Sequence, residues 1–474
     1  MIQRTKIVAT IGPASSSREM LEKLIDAGMN VARLNFSHGT YETHGEVIRN
    51  IRSIARMKNR SVGILLDLQG PKIRVGSLAD GQPVRLKRNQ PFAITTKSIT
   101  GTVEGVSTTY KQLVNDVNPE DTILLDDGLI RLQVETVAAD TVQCRVINGG
   151  WLKEHKGINL PGVEVSAPSL TEKDKRDVNF GIKNRVDFFA LSFVRRAEDL
   201  KHIKDMIARQ GGQIPVIAKI EKPEAIDNID AIIDAADGIM VARGDLGVEM
   251  RPEQVPTIQK QLIYSALQAG QPVITATQML ETMSVNPIPT RAETSDVANA
   301  IFDGTGAVML SGETASGKYP VRAVRMMAKI AQQAENSPFM TYNRQYTADP
   351  TDLVTHAVAQ SAVNIQKEID AQCIIAFSQS GRTSMKISKQ RPTSPVYAFT
   401  SRMDTYNRLS LIWGITPMFI ADIKDARRLI TASEHLLMEK KWVQKDDLIV
   451  LVIGMGLKEG STNIIKIHRI GQED

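Results

Sequence analysis

Cysteine is nearly absent from this chain: Cys144 and Cys373 are the only two in 474 residues, far apart and outside any CxxC or Cys/His spacing. That excludes a disulfide framework and a structural zinc site, and leaves two buried, reduced thiols as the expectation. Long apolar runs are missing too. No stretch of about 18 apolar residues occurs, which excludes a membrane-spanning helix, and the opening MIQRTKIVATIG has no apolar region of a signal peptide. A cytoplasmic protein with no membrane partner is expected. There is also no run of five or more Lys and Arg, and a net charge of +5 over this length is mild. A nucleic-acid-binding stripe is therefore excluded, and small anionic substrates suit the balance better.

What is present is ordinary globular material, 42% apolar and 23% charged, whereas a disordered chain is poorer in apolar residues. Single cores stop growing near about 250 to 300 residues, so two or three domains are expected. Short apolar runs that stop at polar residues recur along the sequence: KIVAT, NVARLN, GILLD, FFALS, VIAKIE, GIMVARGD, VITAT and AVMLS. Most are followed by an amphipathic stretch, such as Arg18 to Ala27 and Tyr41 to Met57. Eight such units read as a (β/α)8 barrel.

The rhythm breaks between Lys72 and about Pro168, where alternating β segments and Gly, Pro and Asp turns replace it. An inserted β-barrel cap domain is expected there, over the barrel mouth. A capping box at Thr171 and Asp174 restarts the βα pattern, which ends in a helix over about Val321 to Glu335. The apolar period is lost through NSPFMTYNRQYTADPTD. Beyond it, CIIAFS, PVYAFT, DLIVLVIG and NIIKIHRI read as strands and Arg427 to Lys440 as a helix of a C-terminal open α/β domain. The expected division is 1–71 with 169–345 as barrel, 72–168 as cap and 346–474 as the third domain. GMGLKEGSTN near Gly454 lacks dinucleotide-loop spacing and reads as the link between the last two strands.

The residues that end the barrel strands supply the chemistry: Arg33, Asn35, Asp67, Ser192, Lys219, Glu221, Asp245, Thr277 and Ser311. Packing gives no reason for a Lys and a Glu two residues apart at the end of an apolar strand. Glu221 and Asp245 are hard oxygen donors without His or Cys nearby, which suits Mg2+ or Mn2+ shared with a substrate anion. Lys219 and Arg33 attract an anion in the same place, so a metal-bridged phosphate or carboxylate satisfies both. Gly244, Asp245 and Gly247 open a helix whose backbone N–H groups can approach a carboxylate.

Taken in order, MNVARLNFSHG, LLDLQGPKIR, KGINLPG, KIEKPEA, MVARGDLGVE, ITATQMLETM and NPIPTRAE resemble the pyruvate kinase family over essentially the whole chain. In length the chain resembles its short bacterial members. The resemblance implies transfer of the phosphoryl group of phosphoenolpyruvate to ADP, giving pyruvate and ATP. It implies Glu221 and Asp245 as Mg2+ ligands, Gly244, Asp245 and Thr277 at the substrate carboxylate, and Arg33 and Lys219 at the phosphoryl group. Thr277, through water, is the nearest candidate proton donor to the enolate. His38, Arg74 and Lys156 fall at positions that bind nucleotide phosphates. A homotetramer is also implied.

Asn35, Ser37 and Asp67, with the carbonyl of Leu68, match the family's monovalent-cation site. Lys72 stands where many members carry Glu, which resembles the K+-independent branch and implies that K+ is dispensable. Gly306 is a second departure, at a position usually held by Asp. FSQSGRTS matches the allosteric sugar-phosphate loop, so Ser378, Ser380, Gly381, Arg382, Thr383 and Ser384 are expected to contact an effector, either AMP with a hexose monophosphate or fructose 1,6-bisphosphate. A Mg-dependent lyase of pyruvate-type substrates and a non-enzymatic scaffold are the alternative readings.

Overall fold

The computed structural model describes residues 3–340, 353–423, 425–454 and 462–472. The expected link between the last two strands and most of the expected boundary after the barrel lie outside these residues. Eight strands, Lys6–Ile11, Val31–Asn35, Gly63–Asp67, Phe188–Leu191, Val216–Ile220, Ile239–Ala242, Val273–Ala276 and Ala307–Leu310, form a closed parallel barrel in chain order. It closes where Lys6 pairs with Ala307. Every residue of the first and third strands is buried, as expected of parallel strands covered on both faces.

Alternation along each strand divides the apolar side chains into two layers. Val8, Leu65, Ile217, Met240 and Ile274 fill the barrel interior. Ile7, Ala9, Ile64 and Leu66 face outward into the larger core beneath the helices. A (β/α)8 interior is a packed core and not a pore, so substrates are confined to the mouth.

The insertion after the third strand is a β domain with its own apolar core, which includes Phe92, Ile94, Val106, Leu132, Val134 and Val146. Its ladders divide into a six-stranded sheet and a two-stranded ribbon. Ile130–Val137 alternates buried and exposed positions over its first half, the mark of a sheet wet on one face. After it, Thr171 accepts from the Asp174 amide while the Asp174 side chain answers the Thr171 amide, so the expected capping box is present.

The third unit is a five-stranded sheet in the order Ile415–Phe419, Val396–Thr400, Cys373–Phe377, Leu448–Gly454 and Thr462–Arg469, with the last strand antiparallel. Ile415–Phe419 escapes the sequence pattern. It carries Pro417 and lies on the sheet edge, where a missing N–H is tolerated. Both cysteines are free and buried, and burial pushes each thiol up to about 12. Among the described residues no helix is long and apolar enough to cross a membrane.

The third unit docks on the barrel base, opposite the mouth. Leu411 joins the barrel interior cluster from below. Lys6 donates to the Ile415 carbonyl at 2.6 Å, Ser61 to Tyr406 at 2.7 Å and Lys389 to Gln268 at 2.8 Å. Gly306 keeps the turn into the eighth strand: its N–H bonds Val273 at 3.1 Å and its carbonyl accepts from Lys6 at 3.0 Å.

Burial lowers the Lys6 ammonium to about 8, with Glu335 opposing the shift. Above that value the unfolded chain holds its proton longer than the folded one. Stability contributed at this position therefore rises with pH from about 8 to the free-lysine range near 10.4. Denaturation midpoints of the parent and Lys6→Met across that window should show the parent gaining on the variant. A constant difference would refute the assignment.

Candidate active site

The strand ends converge as the runs predict. Asp67, at the end of the third strand, accepts from Arg33 Nε at 2.7 Å, and its other oxygen lies 3.3 Å from Lys219 Nζ. Lys219 also pairs with Glu221 at 2.7 Å and donates to Ser192 Oγ at 2.7 Å. Ser192 in turn donates to the Leu68 carbonyl at 2.7 Å, and the Phe193 amide caps Glu221 at 2.9 Å. Thr10 fixes the second guanidinium nitrogen of Arg33 at 2.9 Å. Five strands thus contribute to one hydrogen-bonded charge network.

Asp67 and Glu221 are 1% and 2% exposed and Lys219 is 9% exposed, so water does little to screen them. Burial opposes the Lys219 charge, but Asp67, Glu221 and Asp245 outweigh it and raise its pKa. Burial opposes the Asp67 charge too, and Lys219 with Arg33 lowers its pKa. Glu221 goes the other way: burial, with Asp245 adding to it, raises its carboxyl despite Lys219.

Asp245 is exposed on the short helix Arg243–Glu249 and makes no hydrogen bond or ion pair among the described residues. With Lys72, Asp127, Asn159 and Lys222 it lines a cleft between barrel and cap. No group of three or more His, Cys, Asp and Glu side chains is gathered for a metal among the described residues. Glu221 and Asp245 are two oxygen donors only, which fits a hard cation that takes the rest of its shell from substrate and water.

Thr277 Oγ1 accepts from the Gly244 amide at 2.7 Å, and a side chain on Gly244 would meet that hydroxyl at 3.3 Å. The predicted neighbours are therefore together. Ser311 is present, but its amide bonds Glu313 and its hydroxyl is buried without a partner.

The nucleotide candidates divide. His38 lies beside the charges of Lys72, Arg74 and Arg33, and burial followed by those three charges lowers its pKa. Arg74 is held by the His155 carbonyl at 2.7 Å. Lys156 pairs with Asp126 at 2.7 Å and does not line the cleft. Of the monovalent-cation candidates, Asn35 accepts from the Ser37 amide at 3.1 Å, while Asp67 and the Leu68 carbonyl are engaged as described. In the third unit Arg382 is exposed and Ser380 half-exposed, whereas Ser378, Gly381, Thr383 and Ser384 are buried.

Two features escaped the sequence reading. Arg243 sits within MVARGDLGVE and reaches the carbonyls of Thr277 at 2.8 Å and Gln278 at 3.3 Å, braced by Asp296 at 2.7 Å. Lys222 pairs with Glu249 at 2.6 Å, and the same carboxylate oxygen accepts from Asn159 of the cap at 2.8 Å. Proximity to Gly244 was the available signal for the first. Nothing in sequence joined Asn159 to Glu249.

The family model for the pyruvate kinase barrel domain matches residues 2–324, and that for the pyruvate kinase alpha/beta domain matches residues 356–468. The chain belongs to the pyruvate kinase family. It is 47% identical over 479 aligned positions to a pyruvate kinase of Staphylococcus aureus strain MRSA252, covering all of this chain and 81% of that one. One from Staphylococcus epidermidis strain ATCC 35984 is 46% identical with the same coverage. The crystal structure of a pyruvate kinase from Cryptosporidium parvum superposes with a TM-score of 0.92 at 38% identity, over 99% of this chain and 96% of that one. The chain is therefore an enzyme of the kinase class, and the lyase and scaffold readings are not favoured.

Thr277 and Gln278 have φ of 68° and 53°. A β-branched residue in that region is strained by about 1 to 3 kcal/mol, and the Arg243 fork holds both carbonyls in place. Arg243→Lys keeps the charge but not the fork. Turnover should fall about tenfold or more, the worth of one lost charge-assisted bond, with the circular dichroism spectrum unchanged. Parent-like kinetics would remove the positioning role.

Proposed function

We propose that the chain transfers the phosphoryl group of phosphoenolpyruvate to ADP, giving pyruvate and ATP in the last step of glycolysis, with the residues of the barrel mouth in the following roles. The observation that carries this reading is the Lys219 ammonium, fixed between Asp67, Glu221 and Ser192 beside Arg33. The transferring group spreads negative charge over its oxygens as the enolate develops. Cations already fixed in position stabilise that state without reorganising.

Glu221 and Asp245 would hold the divalent ion, Mg2+ or Mn2+, which when bound neutralises charge shared between substrate oxygens. Gly244 and Thr277 orient the carboxylate end, through a backbone N–H and a hydroxyl. Arg33 and Lys219 face the phosphoryl group. Thr277, through water, is the group from which C3 of the enolate receives its proton. His38 and Arg74, with Lys156 once released from Asp126, bind the phosphates of ADP. Closure of the cap over the mouth excludes water, and the Asn159 to Glu249 bond supports such a closed arrangement.

The chain divides into a barrel of 1–71 with 169–345, a cap of 72–168 and a third domain of 346–474, a division supported by apolar clusters that fall almost wholly within one unit each: two in the barrel, one in the insertion and two in the third unit. A phosphorylated metabolite, either AMP with a hexose monophosphate or fructose 1,6-bisphosphate, activates through Ser378, Ser380, Gly381, Arg382, Thr383 and Ser384. Gly381, at φ 84°, starts the helix Arg382–Lys389, so its turn presents backbone amides to an anion. The enzyme works as a homotetramer in the cytoplasm, in keeping with its two free thiols.

Lys219→Met should lower turnover about a hundred- to thousandfold, the usual loss for one electrostatic stabiliser, with little change in phosphoenolpyruvate affinity. A lactate-dehydrogenase-coupled assay reads both parameters, and near-normal turnover would overturn the role. Lys72 places a fixed ammonium near Asp245, Asp127 and Arg74, so K+ should give little or no activation in sodium-free tetramethylammonium buffer. Strong dependence on K+ there would refute the substitution of charge by Lys72.

A further inference from the structure

A second cationic cleft lies at the other end of the barrel. It has a volume of about 730 Å³ and runs between the helix Tyr41–Met57, the segment before the fourth barrel strand and the third unit's helix Met403–Arg408. Five guanidiniums, Arg52, Arg56, Arg60, Arg185 and Arg408, line it against two carboxylates, Asp187 and Asp404.

Both carboxylates are already satisfied from within. Asp187 takes Arg52 at 2.7 Å and the Ile64 amide at 2.7 Å. Asp404 takes Arg402 at 2.8 Å, which leaves Arg408 at 3.9 Å. Arg60 spends one nitrogen on the Ile25 carbonyl. Arg56 and Arg185 are exposed and make no ion pair among the described residues, although Lys58, two residues from Arg56, pairs with both Glu22 and Asp26. The Nε of Arg408 is buried with no hydrogen-bond partner, and burial lowers this guanidinium's pKa against the opposing pull of Asp404 and Asp187. A buried donor without an acceptor is costly unless something supplies one.

The same cleft has an apolar wall. Phe419 is 41% exposed with its ring edge-on to Tyr406, and Met403 is 50% exposed. Guanidiniums grip phosphate oxygens through paired N–H groups, and a flat ring is recognised by an exposed aromatic face and a thioether. Junctions between domains are common places for such pockets.

We propose that this cleft binds a small phosphomonoester carrying a flat ring, of the nucleoside monophosphate class, with its phosphate on Arg56, Arg185 and Arg408 and its ring against Phe419 and Met403. The site is distinct from the loop at Ser378 and does not depend on it. Its occupant would join the third unit to the base of the barrel, at strands whose opposite ends carry Asp67 and Ser192.

Isothermal titration of the full chain tests this with adenosine 5′-phosphate, phenyl phosphate, inorganic phosphate and adenosine as probes. Both ring-bearing phosphomonoesters should bind more tightly than inorganic phosphate or adenosine. R56A/R185A should weaken them about tenfold or more, the worth of one lost charged hydrogen bond, while S380A/R382A leaves that binding event in place. F419S should erase the advantage over inorganic phosphate without removing the phosphate interaction. No binding of either phosphomonoester, or binding abolished by S380A/R382A and untouched by R56A/R185A, would overturn the proposal. The second of those results would leave the Ser378 loop reading standing.

Discussion

Everything at the barrel mouth depends on the buried ion network of Arg33, Asp67, Lys219 and Glu221. Taking four charges out of water costs several kcal/mol each, and only close, hydrogen-bonded pairing repays it. Here each cation meets a carboxylate within 3.3 Å, and the Ser192 hydroxyl and Phe193 amide take up further contacts. The arrangement is rigid because removing any member strands another in low dielectric. Rigidity is what a charge-developing reaction needs, since dipoles that are already aligned spend no energy on turning.

Strained backbone surrounds the network, and at Phe193 it is bonded to it. Phe193, Thr277 and Gln278 all take positive φ where a parallel strand leaves the barrel. Such residues turn the chain sharply and bring a backbone amide or hydroxyl over the mouth. The Phe193 amide reaches Glu221 in this way, and the Arg243 fork steadies the other two residues through their carbonyls. Strain there is held by bonds made elsewhere, the usual economy of a working site.

The two ends of the barrel are thereby given different tasks. The mouth gathers charge beneath the cap, whereas the base binds the third unit through Leu411 and through donors such as Lys6 and Lys389. The same strands pass between the two ends, so the packing of the base sets the height at which Asp67 and Lys219 emerge. Much of this fold was legible in the chain. Parallel strands buried on both faces must be short continuous apolar runs, and a run that stops at Arg, Asp, Lys or Glu marks the end that faces solvent and substrate. Ile415–Phe419 was not legible, because Pro417 and Thr416 interrupt the pattern on an edge strand that packing completes.

The sequence by itself determined the eight-strand rhythm, the break for the cap, and which polar or charged residues end the barrel strands, because side-chain period and local turn chemistry are properties of neighbours in the chain. It also carried the family likeness through ordered motifs. The tertiary structure alone decided which of those charges meet. Lys219 reaches Asp67 from two strands away, Asn159 of the cap finds Glu249, Arg243 holds Thr277, and Lys156 turns aside to Asp126. Those pairings depend on barrel closure and on where the cap comes to rest. Distances across a closed sheet are set by how all its strands pack together, and no local stretch of sequence contains them.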